Sequence, residues 1–233
     1  MSTLLLLLLT TLIPLTTSYA IIWQPQATIT TLQATMVIPQ VPAGPGIHFI
    51  WPGLQPSSNQ YVFQDVSGDD TGIGAWTFAD WAVNSVSNYN KSGDVAVYPD
   101  DSIAISFQLN TQTGEWSNEW VTSPGSAGSA AGEVYTISDS VVPDSVVSAF
   151  GALTQALFVI ELQAGATWNF GPLIFKDIKI VAETSETIWC TTPSTADSFT
   201  FSMTDPIVGF EYDQRGNIVA SCSIEGLVFL KPL

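Results

Sequence analysis

Polar and apolar positions alternate with a period of two along most of this chain. Thr28 to Ile38 (TITTLQATMVI) carries the clearest run. Tyr61 to Val66, Ile103 to Leu109, Phe158 to Leu162 and Ile174 to Val181 also read as strands. Turn formers separate them: PAGPG at 42–46, PSSN at 56–59, SGDD at 67–70 and PDDS at 99–102. One helix start stands out, Asp144 to Phe150, and Gly151 would end it early. Ser123 to Gly132 (SPGSAGSAAG) is of low complexity and reads as a mobile surface loop inside the domain, because strand pattern resumes at Glu133 to Ile137. Short strands at even spacing predict an all-β antiparallel sandwich or jelly roll.

The first twenty residues break this pattern. Leu4 to Leu9 is unbroken apolar sequence, Leu12 resumes it, and the stretch ends in Ser18-Tyr19-Ala20. Small residues three before and one before a cut suit signal peptidase, so residues 1–20 read as an export signal cleaved after Ala20. A membrane anchor needs roughly 20 apolar residues, and the Thr-rich end makes this segment too short. The expected protein is therefore secreted and extracellular, without a membrane span. Residues 21–183 form the predicted sandwich domain, and 184–233 a small C-terminal β appendage. Cys190 and Cys222 are the only cysteines. An oxidising compartment favours their pairing, with buried free thiols as the alternative. Asn90-Lys91-Ser92 is the only N-glycosylation sequon.

Charge narrows the partners. The chain has 21 acidic and 5 basic residues, a formal net charge of −16. Lys91, Lys176, Lys179, Arg215 and Lys231 form no cluster, which excludes nucleic acid and anionic membranes as expected partners. Carboxylates lose charge in acid, so such a chain avoids self-repulsion there, and an acidic extracellular setting fits.

The inventory of reactive groups is short. His48 is the only histidine, a Ser-His-Asp triad would have to use it, and no G-x-S-x-G elbow is present. It reads instead as a half-buried strand histidine. Zinc needs three or four nitrogen or sulfur ligands, which one His and two cysteines expected to pair with each other do not supply. Asp65, Asp69 and Asp70, or Asp100 and Asp101, offer oxygen ligands for calcium, but match no ordered loop motif and read as solvated turn acids. No metal and no cofactor is implied. Catalysis would rest on carboxylates, amides and water. Glu161 lies within the apolar strand LFVIEL, where partial desolvation suits a general acid/base for low-pH work. Gln64 sits similarly in VFQDV, and a positioned amide can donate to a developing oxyanion. Both residues also fit a solvated strand face.

Several segments together resemble the eqolisins, the fungal glutamic peptidases. LQATMVIPQV at 32–41 is similar to the family's early strand ending in V-P. FIWPGLQP at 49–56, followed by Val62-Phe63-Gln64, resembles W-V-G-I-D-G and the later I-L-Q. AWTFADW at 75–81, YPDDSIAISF at 98–107, ALFVIE at 156–161 and NFGPLIF at 169–175 complete the match, over about residues 28–181. The resemblance implies a concanavalin-like β-sandwich and a catalytic pair at Gln64 and Glu161. Glu161 would activate water against a scissile amide carbonyl, and Gln64 would orient that water and stabilise the oxyanion. The chain departs from the family at Val66, where the family has Gly, and at Leu157, where it has Glu; its N-terminal N-W-A-G segment is also missing.

Three functions fit these features. One is an acid-acting secreted hydrolase of glutamic-peptidase type, with a protein or peptide substrate. The second is a carbohydrate-binding or carbohydrate-cleaving sandwich acting on polysaccharide. Eight tryptophans support it, among them Trp51, Trp76, Trp81, Trp116, Trp120 and Trp168, with Trp51, Trp76 and Trp81 the first candidates to touch substrate. Core packing is the other use of such residues. The third is a non-catalytic extracellular or cell-wall protein on the same scaffold.

Overall fold

The computed structural model describes residues 16–72, 74–84, 88–90, 94–142 and 148–232. Among them, two antiparallel sheets of eight strands each pack face to face. The first sheet runs β13 (Ser194–Ala196), β1 (Thr17–Trp23), β11 (Leu153–Gln163), β3 (Ile47–Pro56), β4 (Tyr61–Gly68), β5 (Trp76–Asn84) and β6 (Asn88–Asn90), with β7 (Val95–Val97) also paired to β5. The second runs β10 (Thr136–Val142), β9 (Trp116–Ser123), β8 (Ser102–Leu109), β2 (Ile29–Val37), β12 (Leu173–Ala182), β16 (Ile218–Pro232) and β14 (Phe199–Met203), with β15 (Ile207–Tyr212) also paired to β16. The all-β sandwich expected from the alternation is the observed fold.

Alternation decides which side chains meet between the sheets. On β11, Ala156, Phe158, Ile160 and Leu162 enter the main core with Ile50, Phe63 and Phe175. Phe158 meets Phe175 edge-on at 4.8 Å, and Phe63 meets Phe107 at 4.8 Å. The alternate residues Leu157, Val159, Glu161 and Gln163 point to the other face of the first sheet. There Leu157 and Val159 join Ala20, Trp51 and Val66 in a second, smaller apolar cluster. A one-residue slip of β11 would exchange the two sets and turn Glu161 into the core between the sheets, which holds it to the outer face.

The structure places two further segments. The segment after Glu183 contributes β14, β15 and β16 to the second sheet. β16 pairs with β12 from Leu173↔Phe229 to Ala182↔Ala220, and Leu227 and Phe229 lie in the main core. Its alternating apolar residues are long enough to extend the second sheet. The Cys190–Cys222 disulfide is present, and Trp23 Nε1 donates to Cys190 O at 3.1 Å, binding the segment to β1. The low-complexity stretch is a short helix, Ser126–Ala131, rather than an open loop. Of the expected helix start at Asp144, residues 143–147 lie outside the described residues, and a 3-10 turn occupies Ser148–Phe150.

Strand β1 begins four residues before the expected cleavage point. Thr17 to Ala20 pair with Leu162 to Val159, Ala20 is buried, and the Tyr19 ring lies 5.3 Å from that of Trp168. No helix among the described residues is long and apolar enough to cross a membrane.

Candidate active site

The exposed face of the first sheet carries a groove of about 350 Å³. Gln64 from β4 and Glu161 from β11 both line it, although 97 positions separate them in sequence. Strand β3 lies between their strands. Glu161 stands opposite Phe49 of β3, and Gln64 opposite Gly53. Trp51, midway between those two positions, forms the floor. It faces Val159 across the pairing and is 7% exposed.

Each element has a reason to present its side chain here. Gly53 leaves room for Gln64: a Cβ at position 53 would stand 2.8 Å from Phe63 O and 2.9 Å from Gln64 Cβ. Behind Gln64, the next residue points the opposite way. Asp65 is fully buried, and Asn118 Nδ2 of β9 donates to its Oδ1 at 2.6 Å. That bond ties β4 to the second sheet directly beneath the groove. Glu161 is half-buried beside Gln163, whose Nε2 donates to Glu161 Oε1 at 2.6 Å. On its other side β1 supplies Ser18 as pairing partner.

Asp70 is the groove residue that sequence reasoning assigned elsewhere. Its carboxylate folds back over Gly68, where a Cβ would stand 3.0 Å from Asp70 Oδ1 and 2.7 Å from the Phe49 ring. Although Asp70 is exposed, partial desolvation raises its carboxyl above its ordinary value; a backbone hydrogen bond opposes this, and the charges of Asp94 and Asp69 push upward. The only legible signal was Gly68 itself, a strand-end glycine before two acids.

The other candidates separate by strand parity. Trp81 lines the groove with Trp51, but Trp76 does not: it is 1% exposed in the main core, and its Nε1 donates to Gln40 O at 3.2 Å. Trp116 and Trp120 are also core residues at 2% each, and Trp168 packs against Tyr19 and Phe170. His48 is fully buried rather than half-buried. Its Nδ1 lies 2.9 Å from Asp69 Oδ2 and its Nε2 3.0 Å from Thr167 O, so both ring nitrogens are engaged and neither is free to serve a serine. Three of the acids expected to be solvated in turns are buried instead and are held apart by different partners: Asp65 faces the core, Asp69 holds His48, and Asp101 accepts from the backbone of Tyr98 and Gly125. Among the described residues, no three His, Cys, Asp or Glu side chains come together as a metal site. Asn90 ends β6 opposite Trp81, while Lys91 and Ser92 of its sequon lie outside the described residues.

Three solved structures match the whole architecture. Two are of Scytalido-glutamic peptidase with transition state analogues, at TM-scores of 0.55 and 0.54 and identities of 16% and 15%. The third is SCP-B, a member of the eqolisin family of peptidases, in complex with the tripeptide Ala-Ile-His, at 0.52 and 14%. Each match covers 91% of this chain and 99% of the other. The fold is eqolisin-like. No protein-family model and no curated protein matches the sequence. The eqolisin-like sandwich embraces both sheets and the segment after Glu183, which makes the groove part of a complete scaffold rather than an isolated patch.

Proposed function

We propose that this protein is an exported, acid-acting hydrolase of peptide bonds in which Glu161 and Gln64 perform the chemistry. The observation that supports it most directly is their convergence on one groove, from strands that sequence alone does not bring together. In the proposed reaction the Glu161 carboxylate accepts a proton from water as its oxygen bonds to the scissile carbonyl carbon. The carbonyl π electrons move to oxygen, and the Gln64 side-chain amide donates to the resulting oxyanion. The protonated Glu161 then delivers its proton to the amide nitrogen as the C–N bond breaks, which returns the carboxylate and yields an acid and an amine.

The glycan reading has less support in the groove. Only two of the six candidate tryptophans reach it, and Trp51 is only 7% exposed. A stacked sugar needs an open ring face. The test is digestion of an unfolded protein substrate at about pH 3 by the wild type and by Glu161→Gln. The wild type should release peptides, and the variant should be slower by at least about 100-fold. Equal rates in both would remove Glu161 from the reaction.

A further inference from the structure

The groove holds a second carboxylate that the proposed chemistry does not use. Glu161, Phe49 and Gly68 lie in one row across β11, β3 and β4. The missing side chain of Gly68 lets the Asp70 carboxylate stand on that row, beside the Phe49 ring. Two strand spacings, about 10 Å, separate the row's two ends at Glu161 and Gly68. An apolar ring with a carboxylate at its far side suits a long side chain that is apolar along its stem and cationic at its tip.

Among the described residues, no cation lines the groove to answer that charge. Among the described residues, the groove lining contains acids, amides, aromatics and valines but no Lys or Arg. Among the described residues, the charged groups acting on Asp70 are Asp94 and Asp69, both acidic, with Glu161 lining the same groove. His48 is already committed to Asp69 at 2.9 Å. The described ion pair of a lysine, Lys179 with Glu211, lies on the second sheet.

We infer that Asp70 is a specificity-determining residue whose carboxylate receives a Lys or Arg side chain of a peptide substrate, seated over Phe49 next to Glu161. The inference rests on the peptide reading of the groove. Asp70 does not touch the reacting atoms and takes no part in bond breaking. It selects which residue of the substrate lies beside the scissile bond. Its carboxyl titrates above the ordinary aspartate value, so the selection strengthens as pH rises through the acid range and fades when Asp70 is protonated.

Binding separates this inference from catalysis. Calorimetry on full-length Glu161→Gln would use N-acetylated, C-amidated peptides that differ only in Lys or norleucine at one position, at about pH 6. The lysine peptide should bind roughly fivefold to tenfold tighter, and the difference should shrink with added salt. Adding Asp70→Asn should remove the preference and leave the norleucine peptide's affinity unchanged. No preference, or one that survives Asp70→Asn, overturns the inference. If wild-type protein cleaves peptides without regard to Lys, the subsite is wrong and the peptide reading stands. If no peptide is bound or cleaved, both fail together.

Discussion

Gly53 and Gly128 show how single missing side chains position the acids and amides of this molecule. At Gly53, a Cβ would press on Phe63 O and Gln64 Cβ, so Gly53→Val should push β3 from β4 and displace Gln64. The expected cost is about 1–3 kcal/mol in a denaturant titration, with hydrolytic activity falling further than stability does. An active, fully stable Gly53→Val protein would show that the β3–β4 spacing does not set the position of Gln64. At Gly128, a Cβ would stand 2.5 Å from both Asp101 Oδ1 and Glu133 Oε2, so two carboxyl groups crowd one small space. Glu133 is pushed up to about 7, chiefly by burial and then by its hydrogen bond to Asp101 and the Asp101 charge. Its folded value lies above its unfolded one. The stabilisation is therefore complete below about pH 4.5 and is lost as pH rises through about 7. Glu133 is only half-buried, so the effect is on the order of 1 kcal/mol after screening by solvent. Melting curves of wild type and Glu133→Gln should converge in acid and separate toward neutral pH, with the variant the more stable there. Parallel curves at all pH values would rule out the shared proton.

Strands explain both what was legible in the sequence and what was not. Alternation revealed β2, β4, β8, β11 and β12, and the oddity of a polar residue within an apolar strand pointed to Gln64 and Glu161. The same rule separates Trp76 from Trp81, because residues an odd number apart in one strand face opposite ways. Applied to β5 it sends Trp76 to the core and Trp81 to the groove. Asp70 was not legible, because its place depends on a loop folding back over Gly68. The role of the last fifty residues was hidden too: β16 and β12 are neighbours only through tertiary pairing. Strand β1 adds a prediction about export. A cut after Ala20 would strip Thr17–Ala20 from β11 and leave Glu161 without its Ser18 neighbour. If the protein is exported as proposed, its amino terminus is expected at or before Thr17. N-terminal sequencing of protein recovered from the medium reads it directly, and Ile21 as first residue would contradict it.

Across the whole molecule, acidity and architecture point the same way. A chain with 21 acidic and 5 basic residues relieves its own repulsion when carboxylates protonate, and the Asp101–Glu133 pair adds a local contribution of the same sign. The eqolisin-like sandwich holds a groove in which a carboxylate and an amide face the same space. The most direct measurement is peptide release from an unfolded protein at about pH 3, by wild type, Glu161→Gln and Gln64→Ala, each checked for an unchanged melting temperature. The account predicts cleavage by the wild type and losses of at least about 100-fold in each variant. Undiminished cleavage by either variant, or none by a folded wild type, would contradict it.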